Sequence, residues 1–501
     1  MCRAEGDFSI RFQSLNRGQN FGLNGARLCR RPAAAISTLL RLTLRAQPRS
    51  EEWLQPCRNG FNFYNPCVLD IKLIREKTDF VRARLALRGA GDEKLIEQIL
   101  QADDQRRTIL TEVESLKSQR NRVSKEIGAL MGQKKLTEAE AKKIETRDLG
   151  DKITELDKLV NKADAERDAL MLRLPNLPNE SVPLGKTAED NPEVRVHGAK
   201  PEFAFKAKSH VELCESLKLV DFARAAKLSG SGFLLYTNWG ARLERALISF
   251  LLDLHITEHD YTEVSPPLMV GEQCLVGVGQ FPKFKDQYYG VAEGDDAKNL
   301  GKLYLIPTAE TPVANIHREE ILAEKQLPIR YCAYTPCFRG EAGAAGVGTR
   351  GMIRVHQFDK VELIKIVKPE NGYDELEKMV ANAEKVLQLL GLHYRVIMLC
   401  TGDMGFGSAK TYDIEVWAPG QGSYLEVSSC SNCEDFQSRR MNLRFKPEAG
   451  GENKFPHILN GSGTALARLF VALIETHQQA DGSVNIPAPL QSYLKTDRIT
   501  A

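Results

Sequence analysis

The chain has 501 residues and a formal net charge of +2, because 68 lysines and arginines nearly balance 66 aspartates and glutamates. This length predicts two or three domains, and the small net charge excludes a uniformly basic nucleic-acid-binding protein, so a nucleic acid would have to meet a local basic patch. The 11 scattered cysteines favour free thiols in a reducing compartment over a disulfide framework. No apolar run is long enough to predict a membrane span.

Residues 1–67 differ in composition from the rest of the chain. From Phe8 to Ser50 there are eight arginines, no lysine and no acidic residue, which resembles an organellar transit peptide. Acidic residues such as Asp7 and Glu51 flank this segment, however, and no amphipathic helix is clear. We therefore treat residues 1–67 as a poorly defined N-terminal extension.

Two heptad seams predict that residues 68–178 form a long antiparallel helical coiled coil. The first seam runs from Leu95 to Leu130 and is broken at Arg106 and Arg120, and the second runs from Leu149 to Leu174 and is broken at Arg167. We place the turn around residues 131–133 and the end of the second helix at the prolines 175 and 178. Helices of some 35 to 40 residues reach roughly 55 Å, so most of this arm lies far from its own domain and needs an outside partner.

Basic residues concentrate toward the distal half of this arm. Such charge is usually a solvated, salt-bridged coiled-coil surface, and taken alone it would be interpreted that way here. The residues that we single out as candidates for nucleic-acid contact are Lys117, Arg120, Arg122, Lys125, Lys134 and Lys135.

Residues 179–501 change to mixed helices and strands with frequent glycine and proline. An amphipathic helix from Leu243 to His255 precedes EHDYTEVSPPLMV, in which Pro266 and Pro267 favour an edge strand, where lost donors are tolerated. Asp260 suits a left-handed turn. The segment predicts a helix followed by an edge strand.

The stretch CFRGEAGAAGVGTRGMIRVHQFDKVE, Cys337 to Glu362, predicts a hairpin of two strands joined by a long glycine-rich loop. It places Arg339 and Glu341 on one limb, and Arg354 and Phe358 on the other. Arginine forks bind phosphates and carboxylates bidentately, so fixed arginines on a rigid hairpin suit a polyphosphate and a carboxylate held together.

Near the C-terminus, NGSGTALARLFVALIE predicts a loop containing Gly461 and Gly463 before a helix that carries Arg468 in its first turns. The pair Cys430 and Cys433 is the spacing of a zinc site, but a structural zinc needs four ligands and no second C-x-x-C or H-x-H appears. We therefore predict no zinc.

These three stretches, in this order, resemble motifs 1, 2 and 3 of the class II aminoacyl-tRNA synthetases, and their wording resembles the bacterial-type seryl-tRNA synthetases from Val68 to the C-terminus. The resemblance implies an α+β fold, with an antiparallel β-sheet catalytic core preceded by the coiled-coil arm. Gly340 lies where the family usually carries a polar residue. We expect only its backbone to matter there and the change to be harmless.

The same resemblance implies the substrates and the site. The family activates L-serine with ATP to seryl-adenylate and transfers serine to the 3′ end of tRNA(Ser), and also to tRNA(Sec) where it is present. The implied ATP-binding residues are Arg339, Gly340, Glu341, Arg354, Val355, Phe358, Glu426, Val427, Ser428, Ser429 and Arg468. The implied serine-binding residues are Thr308, Ala309, Glu310, Arg339, Glu362, Asn460 and Ser462.

Within that set, Arg339 and Arg468 are the expected catalytic residues, and Glu426 with Ser429 the expected ligands of Mg²⁺, which prefers oxygen donors. The basic arm is expected to lie along tRNA, motif 1 to form a homodimer interface, and the enzyme to be cytoplasmic. Little acid–base machinery is needed because the serine carboxylate is ionised at pH 7.

Two start points remain open. The run VLDIKLIREKTDFVRARL looks like the very beginning of a bacterial seryl-tRNA synthetase, so Val68 is either a GTG start codon read as valine in an over-extended gene, or it follows a transit peptide for mitochondria or plastids. Mass spectrometry of the native N-terminus distinguishes these two.

Three rival functions are weighed against this prediction. A catalytically dead, RNA-binding paralogue would have lost Arg339, Glu341, Glu426 or Arg468, and all are present. A carrier-protein amino-acid ligase of this fold lacks the long arm. A threonine or proline synthetase is disfavoured by the arm and by the run from Thr308 to Glu310.

Overall fold

The computed structural model describes residues 69–291, 302–341 and 351–501. The described residues all belong to a single unit, Phe63–Ala501. The two interpretations of residues 1–67 and of Val68 therefore fall outside the described residues, as do the glycines 343, 346 and 348 of the predicted hairpin loop.

In chain order the helices are α1 (Ile71–Glu76), α2 (Thr78–Ala86), α3 (Leu95–Gly132), α4 (Leu136–Met171), α5 (His210–Ser216), α6 (Phe222–Ser229), α7 (Asn238–Glu258), α8 (Glu272–Gly277), α9 (Glu310–Ala314), α10 (Gly372–Leu389), α11 (Phe436–Arg440), α12 (Leu466–Thr476) and α13 (Ala488–Leu494). The strands are β1 (Glu193–His197), β2 (Thr262–Glu263), β3 (Met269–Gly271), β4 (Leu303–Leu305), β5 (Ile321–Ala323), β6 (Ile329–Phe338), β7 (Gln357–Val367), β8 (Tyr394–Met398), β9 (Lys410–Ala418), β10 (Ser423–Asn432), β11 (Arg444–Lys446), β12 (His457–Ala465), β13 (Val484–Asn485) and β14 (Arg498–Ile499).

Helices α3 and α4 form the arm, with 38 and 36 residues. The turn between them covers residues 133–135, two residues later than predicted, and Lys134 there has a left-handed φ of 60°. Helix α4 begins well before the predicted seam, because residues 136–148 contain strong helix formers although only Ala139 among them is buried. An apolar seam therefore underestimates a helix whose first turns are solvated.

Two of the charged breaks in the arm's seams are ion pairs between the helices. The guanidinium of Arg106 in α3 lies 2.5 Å from Asp164 in α4, and that of Arg167 in α4 lies 3.7 Å from Asp103 in α3. Within α4, Arg167 also lies 2.9 Å from Asp164. Because the Arg167 side chain is only 5% exposed, these pairs fix which residues of the two helices lie opposite each other.

The part of the chain that follows the arm is built on an eight-stranded sheet of order β1-β8-β9-β10-β12-β7-β6-β2. Every pairing in it is antiparallel except β2 on β6, which is parallel. Helices α7, α10 and α12 pack on it, and Leu251, Leu387 and Phe470 from these helices share one buried core. The predicted α+β architecture with an antiparallel sheet and a helical arm is confirmed.

The motif 1 segment is a longer helix and a shorter strand than predicted. Helix α7 extends over Asn238–Glu258, whereas pairing in β2 covers only Thr262–Glu263 at the sheet's edge. Pairing stops before Pro266 because proline has no N–H to donate. Asp260 has a φ of 59°, as its predicted left-handed turn requires.

The hairpin and the third motif also differ from their predicted structures. The second limb of the hairpin begins at Gln357, so Arg354 and Val355 lie in the irregular segment before β7. The prediction of a loop at Gly461 and Gly463 is wrong, because both lie within β12. A Cβ at Gly463 would lie 2.8 Å from Nε2 of His255, so glycine here allows α7 to pack directly on the strand.

Across the described ranges 69–291, 302–341 and 351–501, no helix is both long and apolar enough to cross a membrane.

Candidate active site

A first cavity of about 200 Å³ opens where the hairpin β6–β7, strand β10 and helix α12 meet. Most of the residues predicted for ATP line it, and Ser462, predicted for serine, lines it too. The predicted residues found in its wall are Arg339, Glu341, Arg354, Val355, Phe358, Glu426, Val427, Ser462 and Arg468.

The hairpin contributes to this cavity an arginine beside an aromatic ring, and an ion pair. The guanidinium of Arg339 lies 5.0 Å from the centroid of the Phe358 ring, and Nε of Arg354 lies 3.0 Å from Oε2 of Glu341. An aromatic face beside arginines suits a nucleotide, because its base stacks and its phosphates accept from guanidinium groups.

Arg468 connects three parts of the wall. Its Nε donates to the carbonyl of Ile353 at 3.2 Å, and its terminal nitrogen donates to the carbonyl of Glu426 at 2.8 Å. The same nitrogen lies 3.5 Å from the Glu426 carboxylate. The first turn of α12 is thus fixed to β10 and to the segment before β7.

Three residues of the predicted ATP set, Gly340, Ser428 and Ser429, do not line this cavity. Ser428 is buried and its hydroxyl donates to the carbonyl of Ser462 at 2.5 Å, so its contribution is to hold β10 against β12. Gly340 donates its N–H to the carbonyl of Gln287 at 3.0 Å, across the other side of the hairpin.

Strand β10 pairs Ser429 with Asp413 of β9, a carboxylate that sequence reasoning missed. The pKa of Asp413 is raised to about 8 by burial and then by the neighbouring Glu426 carboxylate, and Ser429 donates to it. Its Oδ1 is buried without a hydrogen-bond partner among the described residues. Alternation in TYDIEVW, which puts Asp413 and Glu415 on one face of a strand, was the available signal.

Glu426, Ser429 and Asp413 offer oxygen donors of the kind that Mg²⁺ prefers. Among residues 69–291, 302–341 and 351–501, no group of three or more His, Cys, Asp or Glu side chains is placed to hold a metal ion. The buried Asp413 oxygen that lacks a partner among the described residues is a donor of this kind, and an ion held here would need its further ligands from another molecule.

A second cavity of about 330 Å³ lies on the other side of the site. Glu310 and Asn460 line it together with Tyr288, Cys433 and Gln437. Oε1 of Glu310 accepts from Nε2 of Gln437 at 2.7 Å and from Nδ2 of Asn460 at 3.1 Å. These two amides fix the orientation of the carboxylate.

The pKa of Glu310 is raised to about 7, first by burial and then by the nearby Glu362 carboxylate, while Gln437 acts in the opposite direction. A carboxylate in this environment gains when a cation arrives beside it, because the cation relieves both the burial and the like charge. The ammonium group of an amino acid is such a cation.

A buried triad separates the two cavities. Nζ of Lys360 donates to Oγ1 of Thr308 at 2.8 Å and pairs with the Glu362 carboxylate, and Thr308 donates to Oε2 of Glu362 at 3.1 Å. Lys360 also lines the first cavity. Oγ1 of Thr308 accepts from the N–H of Glu310 at 3.1 Å, and Glu310 lines the second cavity, so the triad connects the two sides of the site.

Sequence reasoning missed Lys360, although a signal was present. Phe358, Lys360 and Glu362 stand at alternate positions of β7 and therefore share one face of the sheet. Two of the three were predicted as site residues, and the residue between them had to face the same way.

Ala309 is the one predicted serine-binding residue whose side chain lies in the apolar core, where it is fully buried. Only its backbone can serve the site. The adjoining Pro307 carbonyl accepts from Nε of Arg339 at 3.4 Å, which ties this loop to the hairpin.

The two cysteines that we excluded as zinc ligands lie in different surroundings. Cys430 is buried in the main apolar core. Cys433 lines the second cavity, with its sulfur 3.4 Å from Nδ2 of Asn460.

The predicted basic residues of the arm fall into two groups. Lys117 lies 3.2 Å from Asp157 and Lys135 lies 3.6 Å from Glu138, so these two are partly neutralised. Within the part of the chain that the structure describes, no carboxylate lies within 4.0 Å of the charged groups of the remaining four, which are Arg120, Arg122, Lys125 and Lys134; the last three are exposed and Arg120 is half-buried.

Comparison with known proteins shows which family the chain belongs to. The family described as "Seryl-tRNA synthetase N-terminal domain" matches residues 68–178, and the "tRNA synthetase class II core domain (G, H, P, S and T)" matches residues 291–477. The "Serine--tRNA ligase" of Akkermansia muciniphila is 51% identical over 432 residues, covering 86% of this chain and 99% of the relative.

The chain belongs to the seryl-tRNA synthetase family. The "Serine--tRNA ligase" of Desulfotalea psychrophila is 50% identical over 431 residues, covering 85% of this chain and 99% of the relative. The predicted class II synthetase fold and the predicted family are thereby confirmed.

Solved seryl-tRNA synthetase structures agree. The seryl-tRNA synthetase of Pyrococcus horikoshii, solved in complex with ATP, superposes with a TM-score of 0.80 at 41% identity and covers 86% of this chain and 99% of its own. The cytoplasmic serine-tRNA ligase of Naegleria fowleri, in complex with AMP, gives 0.76 at 28% identity, with coverage of 86% and 98%.

Proposed function

We propose that this member of the seryl-tRNA synthetase family is a serine–tRNA ligase that activates L-serine with ATP and charges tRNA(Ser), and tRNA(Sec) where it is present. The observation that carries the proposal is a pair of cavities connected by the buried triad, one lined by arginines and an aromatic ring and the other by a carboxylate held by amides. A nucleotide and an amino acid bound in these cavities would meet at the triad.

In the first step the serine carboxylate attacks the α-phosphorus of ATP and pyrophosphate leaves. Arg339 is assigned to the α-phosphate and the serine carboxylate, Arg354 to the phosphates and Arg468 to the γ-phosphate. Each arginine lines the ATP cavity. The step needs positioning and charge neutralisation more than proton transfer, because the attacking carboxylate is already ionised.

The adenine end of ATP is assigned to the hairpin. Phe358 stacks on the base, the backbone of Val355 contacts it, and Glu341 accepts from the adenine amino group. The other residues assigned to ATP are Gly340 and Val427. Ser428 is assigned the role of holding β10 in place.

When bound with ATP, Mg²⁺ supplies charge stabilisation to the phosphates. Glu426 and Ser429 are the residues assigned to it, and Asp413 stands beside them with one unpaired buried oxygen.

Serine is assigned to the second cavity. Its ammonium group would lie beside the Glu310 and Glu362 carboxylates, and Asn460 would bind another polar group of the amino acid. The remaining residues assigned to serine are Thr308, Ala309 through its backbone, and Ser462. Since Gln437 and Asn460 both bond Oε1 of Glu310, the other oxygen is left for the substrate.

In the second step the terminal 3′-hydroxyl of tRNA attacks the seryl carbonyl carbon and AMP leaves. The arm's exposed basic residues would bind phosphates of the tRNA, so charging should weaken with salt. We assign residues 68–178 to this tRNA-binding domain and residues 179–501 to the catalytic domain of a homodimer. A cytoplasmic location is proposed, with mitochondria or plastids as the alternative if residues 1–67 are a transit peptide.

The test separates activation from charging. Arg339→Ala should abolish serine-dependent ATP–pyrophosphate exchange, because the arginine that would neutralise the α-phosphate is lost. Deleting residues 117–152 should leave exchange near the wild-type rate and remove tRNA charging. The deletion is geometrically mild because its neighbours Leu116 and Ile153 pack in one apolar cluster across the two helices, so a short turn can join them.

A panel of amino acids provides the specificity control for both assays. Exchange with threonine or proline in place of serine would overturn the proposed substrate. Charging of tRNA that survives the deletion would overturn the assigned role of the arm.

A further inference from the structure

Gly340 is in close backbone contact with Gln287 on the outer side of the hairpin. Its N–H donates to the Gln287 carbonyl at 3.0 Å. A Cβ at this position would lie 2.9 Å from that oxygen and 3.4 Å from the Gln287 carbonyl carbon. The backbone of Gly340 is not left-handed, so glycine is required for space and not for conformation.

The segment that Gly340 meets is fixed on both sides of Gln287. On one side, Gln287 donates to the Phe284 carbonyl at 3.0 Å, and Phe284 donates to the Gln280 carbonyl at 3.0 Å. On the other side, the Tyr289 carbonyl accepts from the N–H of Leu305 at 3.0 Å. A side chain at position 340 would therefore displace the peptide between these fixed points.

That peptide carries Tyr288, which lines the cavity assigned to serine together with Glu310 and Asn460. The Tyr288 ring packs edge-on against Phe281, with ring centroids 5.3 Å apart, so the ring is held from behind. A half-buried aromatic ring supported in this way forms a wall of the cavity and limits its size.

A wall is what the site needs to reject threonine. Threonine carries the same carboxylate, ammonium and hydroxyl as serine, so the polar groups of the cavity bind both. One added methyl group can be excluded only by lack of room, and such exclusion is worth about 10- to 200-fold in discrimination.

We propose that Gly340 is a specificity-determining residue, because it lets the Gln287 peptide approach the hairpin and so holds Tyr288 as the wall that excludes threonine. The inference rests on the proposed function, and it revises the expectation that a glycine at position 340 has no consequence. Gly340 acts here through Tyr288 and not through a contact of its own with the amino acid.

The first test compares Gly340→Ala with a matched control in the same segment. A Cβ at Gly290 would find its nearest neighbour, the Tyr304 ring, at an ordinary 3.8 Å. Serine- and threonine-dependent ATP–pyrophosphate exchange would be measured for both variants. Gly340→Ala should lower the serine-to-threonine ratio of kcat/KM about tenfold or more, whereas Gly290→Ala should keep the wild-type ratio. An equal fall of kcat/KM for both amino acids in Gly340→Ala would overturn the proposal.

A second variant tests the route through Tyr288. Tyr288→Ala should lower the same ratio at least as far, and the double variant Gly340→Ala, Tyr288→Ala should lower it no further than Tyr288→Ala does. Independent, multiplicative losses in the double variant would show that Gly340 acts elsewhere. A wild-type protein without serine-dependent exchange would overturn the proposed function itself, which is a different outcome from an unchanged ratio in an active Gly340→Ala enzyme.

Discussion

The two cavities of the active site hold their charged groups in opposite ways. In the ATP cavity the ion pairs are open to solvent: the side chain of Arg354 is 50% exposed and that of Glu426 is 47% exposed. Between the cavities, Lys360 and Glu362 are 7% and 2% exposed and share a hydroxyl of Thr308.

This difference indicates how each side receives its substrate. Exposed pairs contribute about 0 to 1 kcal/mol to stability, so arginines can leave them for phosphates at little cost. A buried pair is different, because removing one partner leaves an uncompensated charge in a dry site. The ATP side is therefore a set of exchangeable contacts, whereas the buried network between the cavities is fixed.

The largest effect is expected from Lys360→Met, which removes the cation of the buried network. It leaves Glu362 buried and unpaired, so the free energy of unfolding should fall by about 3 to 5 kcal/mol. Serine-dependent exchange should fall by about 10³-fold, since the group at the junction of both substrates is lost. Denaturant titration and pyrophosphate exchange measure the two quantities.

The matched control is Lys378→Met. Lys378 also pairs with a glutamate, Glu375, at 2.8 Å, but its side chain is 64% exposed. Its loss should change stability by less than about 1 kcal/mol. Equal destabilisation by the two lysine substitutions would contradict the contrast between the cavities.

Glu310→Gln should separate stability from activity on the serine side. The pKa of Glu310 is raised from 4.5 to about 7, so between these values the native state binds more protons than the unfolded chain and stability falls as pH rises. The glutamine variant lacks this loss. It should therefore gain stability relative to wild type at about pH 8, with the gain vanishing near pH 4.

The same variant should lose about a hundredfold or more in serine-dependent exchange, because a neutral amide replaces the carboxylate that faces the substrate. Unfolding midpoints at several pH values, with exchange measured beside them, give both results. A stability difference that does not change with pH would show that Glu310 does not titrate in this range.

The sequence predicted the exposed side of this comparison better than the buried side. Arg339, Arg354, Phe358 and Arg468 were assigned by motif, and the structure brings all four to one cavity. Motifs record residues of distinctive chemistry at fixed spacing, and those residues line the ATP cavity directly.

The buried side depends on contacts between elements that are distant in sequence. Lys360 meets Thr308 from 52 positions away and Gln437 meets Glu310 from 127 positions away, so neither partner is visible from local pattern. The two glycines in β12 were interpreted as a loop because the reason for each is likewise non-local. A Cβ at Gly463 would meet His255 of α7, and one at Gly461 would meet Met379 of α10.

Arg354→Ala tests the exchangeable character of the ATP side. We expect KM for ATP to rise about tenfold, as for the loss of one charge-assisted hydrogen bond, with stability changed by less than about 1 kcal/mol. KM for serine should stay near the wild-type value, because Arg354 lies outside the serine cavity. A large loss of stability would place Arg354 with the buried network instead.

The arm extends the comparison to exposed charges that have no carboxylate within 4.0 Å among the described residues, and there the smallest individual effects are expected. Arg122, Lys125 and Lys134 are exposed, and each alanine substitution should weaken tRNA charging severalfold and reduce the slope of log affinity against log salt by about 1. Pyrophosphate exchange should not change.

Lys142, which lies 3.2 Å from Glu126 and 2.8 Å from Glu145, is the paired control. Its substitution should alter the salt slope less, because its charge is already neutralised within the arm, and an equal change for Lys142 would mean that pairing on the arm does not determine which residues bind tRNA.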